Sequence, residues 1–213
     1  MLDKYDSQGM YKIYDKWYEI AKNSYEIDHE PLDLDLKHIV FVGMGGSGVV
    51  GDIFQSILSQ TKMHVNIVRG YNLPATVDEN TLVIAASISG NTQETLFVID
   101  SAKKSGCKII ACSSGGKVQD YCLKNNIEFR KINQYHSPRA SLPAFVYSLL
   151  KIMKKTLHLR EDDIVDSINQ LQLLSKKISS NNLVDENPSL ELAKWISGIP
   201  LIYYPSGLRA SAL

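Results

Sequence analysis

Five short apolar runs, separated by amphipathic or turn-forming segments, dominate the chain between residues 38 and 132. Four of them are almost continuously apolar, which is typical of strands buried on both faces of a parallel sheet. Helical periodicity fills several of the intervals, over residues 48–60, 92–105 and 117–125. The alternation predicts an α/β fold with a doubly wound, five-stranded parallel sheet. The predicted strands are 38–43, 63–69, 81–87, 108–113 and 127–132.

The segments on either side of the predicted sheet follow a helical pattern. Residues 4–24 carry apolar side chains at three- and four-residue spacing and predict one amphipathic arm. Helices are also predicted after residue 139 and over residues 161–178, followed by an exposed linker, "SSNNLVDENPS". A further helix and a strand at Pro200–Tyr204 predict the beginning of a second α/β unit. The predicted units are a helical arm (1–37), a central α/β domain (38–158), a helix and linker (159–188) and the beginning of a second, incomplete domain (189–213).

The composition argues against several classes of function. The chain has 23 basic and 23 acidic residues, so no net charge attracts nucleic acid or an anionic membrane. No apolar run approaches the roughly 20 residues needed to span a bilayer. The three cysteines, Cys107, Cys112 and Cys122, are odd in number and lack zinc-site spacing, which favours a reducing cytoplasm over a disulfide framework. Cys112 lies in a predicted strand, so we expect it in the core.

A glycine-rich loop, "GMGGSGVVG", follows the first predicted strand. Gly43, Gly45 and Gly48 fit the pattern G-x-G-x-x-G of dinucleotide-binding folds. Glycines let the backbone approach an anion, and the helix that follows presents free N–H groups and a positive dipole end. Arg69, at the end of the second predicted strand, could serve the 2′-phosphate of NADP. The loop alone is therefore compatible with a dinucleotide, with another phosphate, or with a tight turn that binds nothing.

The segment "SISGNTQET" follows the third predicted strand and opens a predicted helix. It carries four hydroxyl or amide side chains before that helix: Ser87, Ser89, Asn91 and Thr92. Asn91 and Glu94 have the spacing of a capping box, which explains part of this polarity. A cap uses only one of the four side chains. Neutral donors clustered beside a helix N-terminus suit a phosphate monoester, so the segment favours a sugar phosphate over a dinucleotide.

Arg139 lies in "SPRASLP", which follows the fifth predicted strand. An isolated arginine is most often a surface residue. Because the carboxyl ends of parallel strands share one edge of the sheet, we expect this segment beside the two loops described above. We therefore interpret Arg139 as a functional cation that meets negative charge in the ligand.

The three motifs together resemble those of a known family. "SISGNTQET" resembles the signature of the sugar isomerase (SIS) domain, a flavodoxin-like α/β fold that binds phosphosugars. The combination of "VGMGGSGVVGD", "SISGNTQET" and "SPRASLP" is similar to the bifunctional phosphoglucose/phosphomannose isomerase family of archaea and some bacteria. The resemblance runs from about residue 38 to the C-terminus.

The resemblance implies a reaction and a set of site residues. Arg139 would stabilise the negative charge of a cis-enediolate. The sugar phosphate would be held by Gly46, Ser47, Ser87, Ser89 and Thr92. Proton transfer between C1 and C2 would interconvert glucose 6-phosphate or mannose 6-phosphate with fructose 6-phosphate, without a metal or a redox cofactor. The resemblance also implies a cytoplasmic homodimer, and the apolar segment 142–153 suits either a dimer interface or the core.

The chain departs from this family in its second half. The family has two SIS domains, and its glutamate base, a histidine and a lysine lie in the second one. No residue of this chain matches the glutamate base, the histidine or the lysine of the family. We interpret Glu186 and Glu191 as linker and helix residues, and His136 does not match the family histidine. We expect a truncated form that binds a sugar phosphate but does not isomerise it alone. A non-catalytic SIS module that senses a sugar phosphate and an NADP-binding domain are the alternatives.

Overall fold

A five-stranded parallel sheet forms the centre of the computed structural model, which describes residues 2–212. The strands are β1 (His38–Val42), β2 (His64–Val68), β3 (Thr81–Ser87), β4 (Lys108–Ser113) and β5 (Glu128–Lys131). Their order is β2-β1-β3-β4-β5, and every pairing is parallel. This is the flavodoxin-like order. The fold class is therefore confirmed, and each predicted strand agrees with the structure to within one residue at either end.

Helices precede, connect and follow the strands. They are α1 (Leu2–Tyr5), α2 (Met10–Asp15), α3 (Trp17–Glu26), α4 (Gly46–Ile57), α5 (Gln93–Lys104), α6 (Gly116–Lys124), α7 (Leu142–Met153), α8 (Glu161–Ile178), α9 (Pro188–Trp195), a 3-10 turn (Ser206–Leu208) and α10 (Arg209–Ala212). The connection between β2 and β3 contains no helix, in agreement with its sequence.

Alternating side chains divide the core into two apolar layers. Ile39 and Phe41 of β1 pack with side chains of α3, α4, α7 and α8. Val40 and Val42 pack on the other face, against side chains of α5 and α6. Phe41 stacks on Phe54 of α4, with ring centroids 5.1 Å apart. Burying a side chain such as Phe54 contributes roughly 1.5–3 kcal/mol, so these layers fix the positions of the helices that surround the site.

The apolar segment 142–153 belongs to the core of this domain. As α7 it buries nearly all of its side chains, and Phe145, Leu149 and Ile152 are completely inaccessible. The helix packs against α3 and α4. Of the two alternatives that its sequence left open, the structure selects the core.

The prediction of one continuous N-terminal helix over residues 4–24 is wrong. The segment forms the separate helices α1, α2 and α3. The chain turns before α2, where Gly9 is left-handed at φ 69° and the Asp6 carboxylate accepts a hydrogen bond from the Tyr11 N–H at 2.8 Å. A left-handed residue interrupts a right-handed helix. The amphipathic pattern survives the break, since Ile20 and Ala21 of α3 are buried.

The predicted strand at Pro200–Tyr204 is also wrong. These residues have no strand partner in the part of the chain that the structure describes, and Tyr203 is 90% exposed. An apolar run becomes a strand only where a neighbouring strand can accept its hydrogen bonds. The chain instead folds back onto α4, where the Ser56 hydroxyl donates to the Gly207 carbonyl. Met1 and Leu213, which bound the first and last predicted units, lie outside the described residues.

Among residues 2–212, no helix is both long enough and apolar enough to cross a bilayer.

The cysteines allow a test of the core. Burial raises the pKa of Cys112 to about 12 and that of Cys122 to about 11, and it also raises the pKa of the less buried Cys107. A raised pKa leaves less of the reactive thiolate. With iodoacetamide at pH 8, we expect slow labelling of Cys107 and none of Cys112 or Cys122, measured by mass spectrometry. In urea-unfolded protein all three should react alike, and rapid labelling of Cys112 in the folded protein would contradict its placement in the core.

Candidate functional site

The candidate site lies at the carboxyl edge of the sheet. The strand order reverses between β1 and β3, because β1 neighbours both β2 and β3. The helices α4 and α5 leave these two strands toward opposite faces of the sheet. In such sheets, ligands bind in the crevice that opens at this point. The glycine-rich loop after β1 and the "SISGNTQET" loop after β3 border that crevice.

Side-chain hydroxyls from these two loops come together beside the crevice. Ser47 Oγ accepts the N–H of Ile88 at 3.3 Å and has no acceptor for its own hydrogen among the described residues. Ser87 Oγ and Thr92 Oγ1 are 2.9 Å apart, so one donates to the other and one hydrogen stays free. Ser89 Oγ accepts the Asn91 N–H at 3.4 Å. Each hydroxyl has one donor hydrogen, so the four side chains keep up to three donors for an anion. We call Ser47, Ser87, Ser89 and Thr92 the hydroxyl cluster.

Members of the hydroxyl cluster differ in accessibility. Ser89 is exposed and Thr92 is half-buried, whereas Ser47 is 7% exposed and Ser87 only 1%. Ser89 and Thr92 therefore form its open edge. Ser87 lies behind Thr92 and fixes the orientation of its hydroxyl. The sequence alone did not separate the hydroxyls that face solvent from those that support them.

The first turn of α5 has no side-chain cap. Thr92 occupies the N-cap position, and no side chain accepts a hydrogen bond from the helix there. The predicted capping box of Asn91 and Glu94 is thus wrong. Asn91 instead donates to the Ser89 carbonyl at 3.1 Å and accepts the Lys117 N–H at 3.3 Å. Helix α4 likewise begins without a side-chain cap among the described residues, so the positive ends of both helices have no side-chain acceptor.

A third loop, "SSGG" after β4, supports the hydroxyl cluster and was missed by the sequence reasoning. Ser114 donates twice to the Ile88 carbonyl, from Oγ at 2.8 Å and from its N–H at 3.2 Å. The Val118 N–H donates to the Gly90 carbonyl at 2.9 Å. Gly90 is left-handed, at φ 68°, and packs directly on Gly115. The available signal was a third strand ending in serines and glycines, "CSSGG", before a helix.

Arg139 lies beside the glycine-rich loop at Gly46, whereas the loop after β3 contacts it at Ser47. A Cβ on Gly46 would be 3.7 Å from Arg139 Cγ and 3.5 Å from the Pro138 carbonyl carbon. The loop that carries Arg139 is fastened by the fully buried Ser141, which donates to the Tyr135 and Ser137 carbonyls at 2.9 and 2.8 Å. The structure therefore brings Arg139 beside Gly46, as the sequence predicted.

The N-terminal helices complete this side of the site. The indole N–H of Trp17 donates to the Ala140 carbonyl at 3.0 Å, and Tyr14 packs edge-on against Trp17. Both rings line a cavity of about 480 Å³ together with Gly45, Gly46 and Arg139. Its size is in the range of small-molecule sites. The amphipathic pattern of the arm gave Trp17 and Tyr14 only a packing role.

Arg69 also lines this cavity, but its charge already has a partner. Its guanidinium binds the Asp52 carboxylate and donates to the Gly48 carbonyl at 3.2 Å. The Asp52 side chain is 1% exposed, so the ion pair is held in place. An arginine engaged in this way is poorly suited to the 2′-phosphate of NADP. This pairing disfavours the dinucleotide interpretation.

The described residues contain no group of three or more His, Cys, Asp or Glu side chains arranged to hold a metal ion.

Comparison with known proteins decides the family. A family model for the SIS domain matches residues 34–152. The chain belongs to the SIS domain family. The matched range extends from just before β1 into the last turn of α7 and contains every residue that the sequence assigned to the site.

Curated relatives of this SIS domain carry a more specific name. The bifunctional phosphoglucose/phosphomannose isomerase of Caldicellulosiruptor bescii is 35% identical over 198 residues, which are 90% of this chain and 57% of the relative. The protein of the same name from Thermoplasma acidophilum is 34% identical over 175 residues, which are 82% of this chain and 52% of the relative. The chain spans about half the length of these relatives.

Solved structures agree on the fold of the SIS domain. The crystal structure of glucosamine-6-phosphate deaminase from Thermotoga maritima has a TM-score of 0.58 and 16% identity, and the match covers 83% of this chain and 57% of that one.

Replacing Gly90 should loosen the hydroxyl cluster. In Gly90→Ala, the added Cβ would overlap the Gly115 carbonyl oxygen and lie 2.6 Å from its carbon. The matched control is Gly106→Ala, because Gly106 has a similar φ of 73° with nothing within 4 Å of the added atom. A left-handed alanine costs about 1–2 kcal/mol at either position. We expect Gly90→Ala to lower the free energy of unfolding in urea by roughly 1–3 kcal/mol more than the control, through overpacking. Equal losses would contradict the proposed contact.

Proposed function

We propose that this chain binds a sugar phosphate in the crevice and the adjoining cavity. The complete protein is then an aldose–ketose isomerase that interconverts glucose 6-phosphate or mannose 6-phosphate with fructose 6-phosphate. One observation carries the proposal: the hydroxyl cluster and the N-termini of α4 and α5, which lack side-chain caps, lie at the same edge of the sheet as Arg139, which lies beside Gly46. Membership of the SIS family and the names of the curated relatives support it.

The phosphate group is assigned to the hydroxyl cluster. Free hydroxyls and backbone N–H groups at a helix start suit the three terminal oxygens of a phosphate monoester. Ser89 and Thr92 contact it directly, Ser87 orients Thr92, and Ser47 and Gly46 complete the site from the β1 loop. From there the sugar chain extends past Gly46 into the cavity.

Arg139 is assigned to the reacting end of the sugar. Isomerisation moves a proton between C1 and C2 through a cis-enediolate, whose oxygens carry negative charge. A guanidinium beside those oxygens lowers the energy of this intermediate more than that of the neutral sugar, which is the condition for accelerating the reaction. Arg139 is exposed, and its loop is fastened by Ser141 and Trp17, so its charge is available at a fixed place.

The proton transfer also needs a base, and we assign that base to a part of the protein other than the described wall of the cavity. The side chains that line the cavity include arginines and aromatic residues but no carboxylate from the described part of the chain. We therefore assign sugar-phosphate binding to this chain and the complete reaction to the whole protein. The cytoplasmic location and the homodimer stay predictions.

Binding tests the assignment of the phosphate. We expect fructose 6-phosphate and glucose 6-phosphate to raise the melting temperature of this chain, and NADP to leave it unchanged. Thr92→Val removes one hydroxyl and should weaken fructose 6-phosphate binding by about tenfold in isothermal titration calorimetry, because a hydrogen bond to a charged group is lost. The matched control is Thr61→Val, beyond the far end of α4, which should bind as the wild type does. Stabilisation by NADP but by neither sugar phosphate would contradict the proposal.

Turnover tests the assignment of the reaction. This chain alone should not convert fructose 6-phosphate to glucose 6-phosphate. The measurement is nuclear magnetic resonance of the sugar phosphates over several hours with micromolar protein. Arg139→Gln serves as the control for contaminating enzymes, because it removes the cation assigned to the enediolate. Conversion by the wild-type chain that disappears in Arg139→Gln would show that the base lies within this chain, against the proposal.

A further inference from the structure

A third arginine reaches the cavity from a part of the chain to which the sequence assigned no site. Arg209 and Ala210, at the start of α10, line the same cavity as Gly46 and Arg139. The segment before them is tied to α4, since the Ser56 hydroxyl donates to the Gly207 carbonyl. Arg209 is thus brought to the wall of the cavity by a contact outside it.

The buried Asp52 faces Arg209 with a carboxylate oxygen that accepts no hydrogen bond from the described residues. Its Oδ2 binds Arg69, whereas its Oδ1 has no hydrogen-bond donor among the described residues. Arg209 Nε lies 3.7 Å from Oδ1, and the Asp52 side chain is 1% exposed. A buried carboxylate oxygen without a hydrogen-bond donor is unfavourable, so Asp52 Oδ1 attracts the guanidinium of Arg209. One carboxylate therefore sits between two arginines that both line the cavity.

The charge balance of the cavity leaves room for an anionic ligand. Three of its lining side chains are arginines, Arg69, Arg139 and Arg209, and the described lining residues include no acid. Asp52, behind the wall, offsets one of the three charges. The wall therefore keeps a net positive charge, which suits the oxygens of a sugar and the negative charge that develops on them.

We propose that Arg209 contacts the sugar chain of the ligand and that Asp52 is its positioning residue. The inference rests on the proposed function. A guanidinium has five N–H donors, so the pairing with Asp52 leaves several for the ligand. The hydroxyl cluster holds the phosphate on the side of Gly46 that faces β3, and Arg209 lines the cavity with Arg139, Tyr14 and Trp17. Arg209 therefore meets the hydroxyl and carbonyl oxygens of the sugar rather than the phosphate.

Calorimetric titration with fructose 6-phosphate and with inorganic phosphate tests whether Arg209 contacts the sugar rather than the phosphate. Arg209→Gln should weaken fructose 6-phosphate binding by about tenfold, the effect of losing one charge-assisted hydrogen bond, and change inorganic phosphate binding by less than about twofold. The matched control is Arg160→Gln, which removes an exposed arginine that lies 3.9 Å from Asp163, outside the cavity. It should leave both affinities unchanged.

The positioning role has its own readout in a double-mutant cycle. Asp52→Asn should weaken fructose 6-phosphate binding in the wild-type background but clearly less in the Arg209→Gln background, because Asp52 acts in part through Arg209. Unchanged fructose 6-phosphate affinity in Arg209→Gln overturns the inference, and so does an equal loss for inorganic phosphate. If Asp52→Asn does not fold, the affinities of Arg209→Gln for fructose 6-phosphate and inorganic phosphate decide whether Arg209 contacts the sugar. Absence of fructose 6-phosphate binding by the wild type would instead overturn the proposed function itself.

Discussion

The site depends on the backbone of Ile88 and Gly90, where three loops meet. The Ile88 N–H binds Ser47 from the β1 loop, and its carbonyl accepts both hydrogen bonds from Ser114 of the β4 loop. Two residues further on, the Gly90 carbonyl accepts the N–H of Val118 at the start of α6. The loop after β3 is thus held from both neighbouring strands. Hydroxyls that must converge on one phosphate need such a rigid support, because a side chain on a free loop would lose its orientation.

The electrostatic design of the cavity follows from burial. Asp52 is almost completely inaccessible, and a carboxylate in that position is stable only with cationic partners. Arg69 and Arg209 fill this role, which fixes two arginines at the wall of the cavity while neutralising only one charge. Arg139 has no acidic partner among the described residues and is oriented by its loop instead. The cavity consequently combines arginines held in place with a net positive charge, which favours ligand groups that carry or develop negative charge.

Much of the fold and part of the candidate site could be read from the sequence. Apolar runs such as "TLVIAAS" are long enough and continuous enough to identify buried parallel strands, and the residue types after them identify loops that suit an anion. Local patterns failed where a distant partner decided the outcome. The sequence predicts that Asn91 caps α5, but its side-chain oxygen instead accepts a hydrogen bond from the Lys117 N–H of α6. Pro200–Tyr204 is as apolar as a strand, yet the described chain offers it no neighbour.

By itself, the sequence determined the alternation of strands and helices and the edge at which the loops gather, since these follow from periodicity and residue type. The binding roles of Ser47, Ser87, Ser89, Thr92 and Arg139 stay predictions. Only the tertiary structure decided which hydroxyls face the crevice, that α7 is core, and that Arg209 joins Asp52 at the cavity although the two are far apart along the chain. The reason is physical. Periodicity reports which side of an element is buried, whereas accessibility and ion pairing depend on what packs against it from elsewhere in the chain.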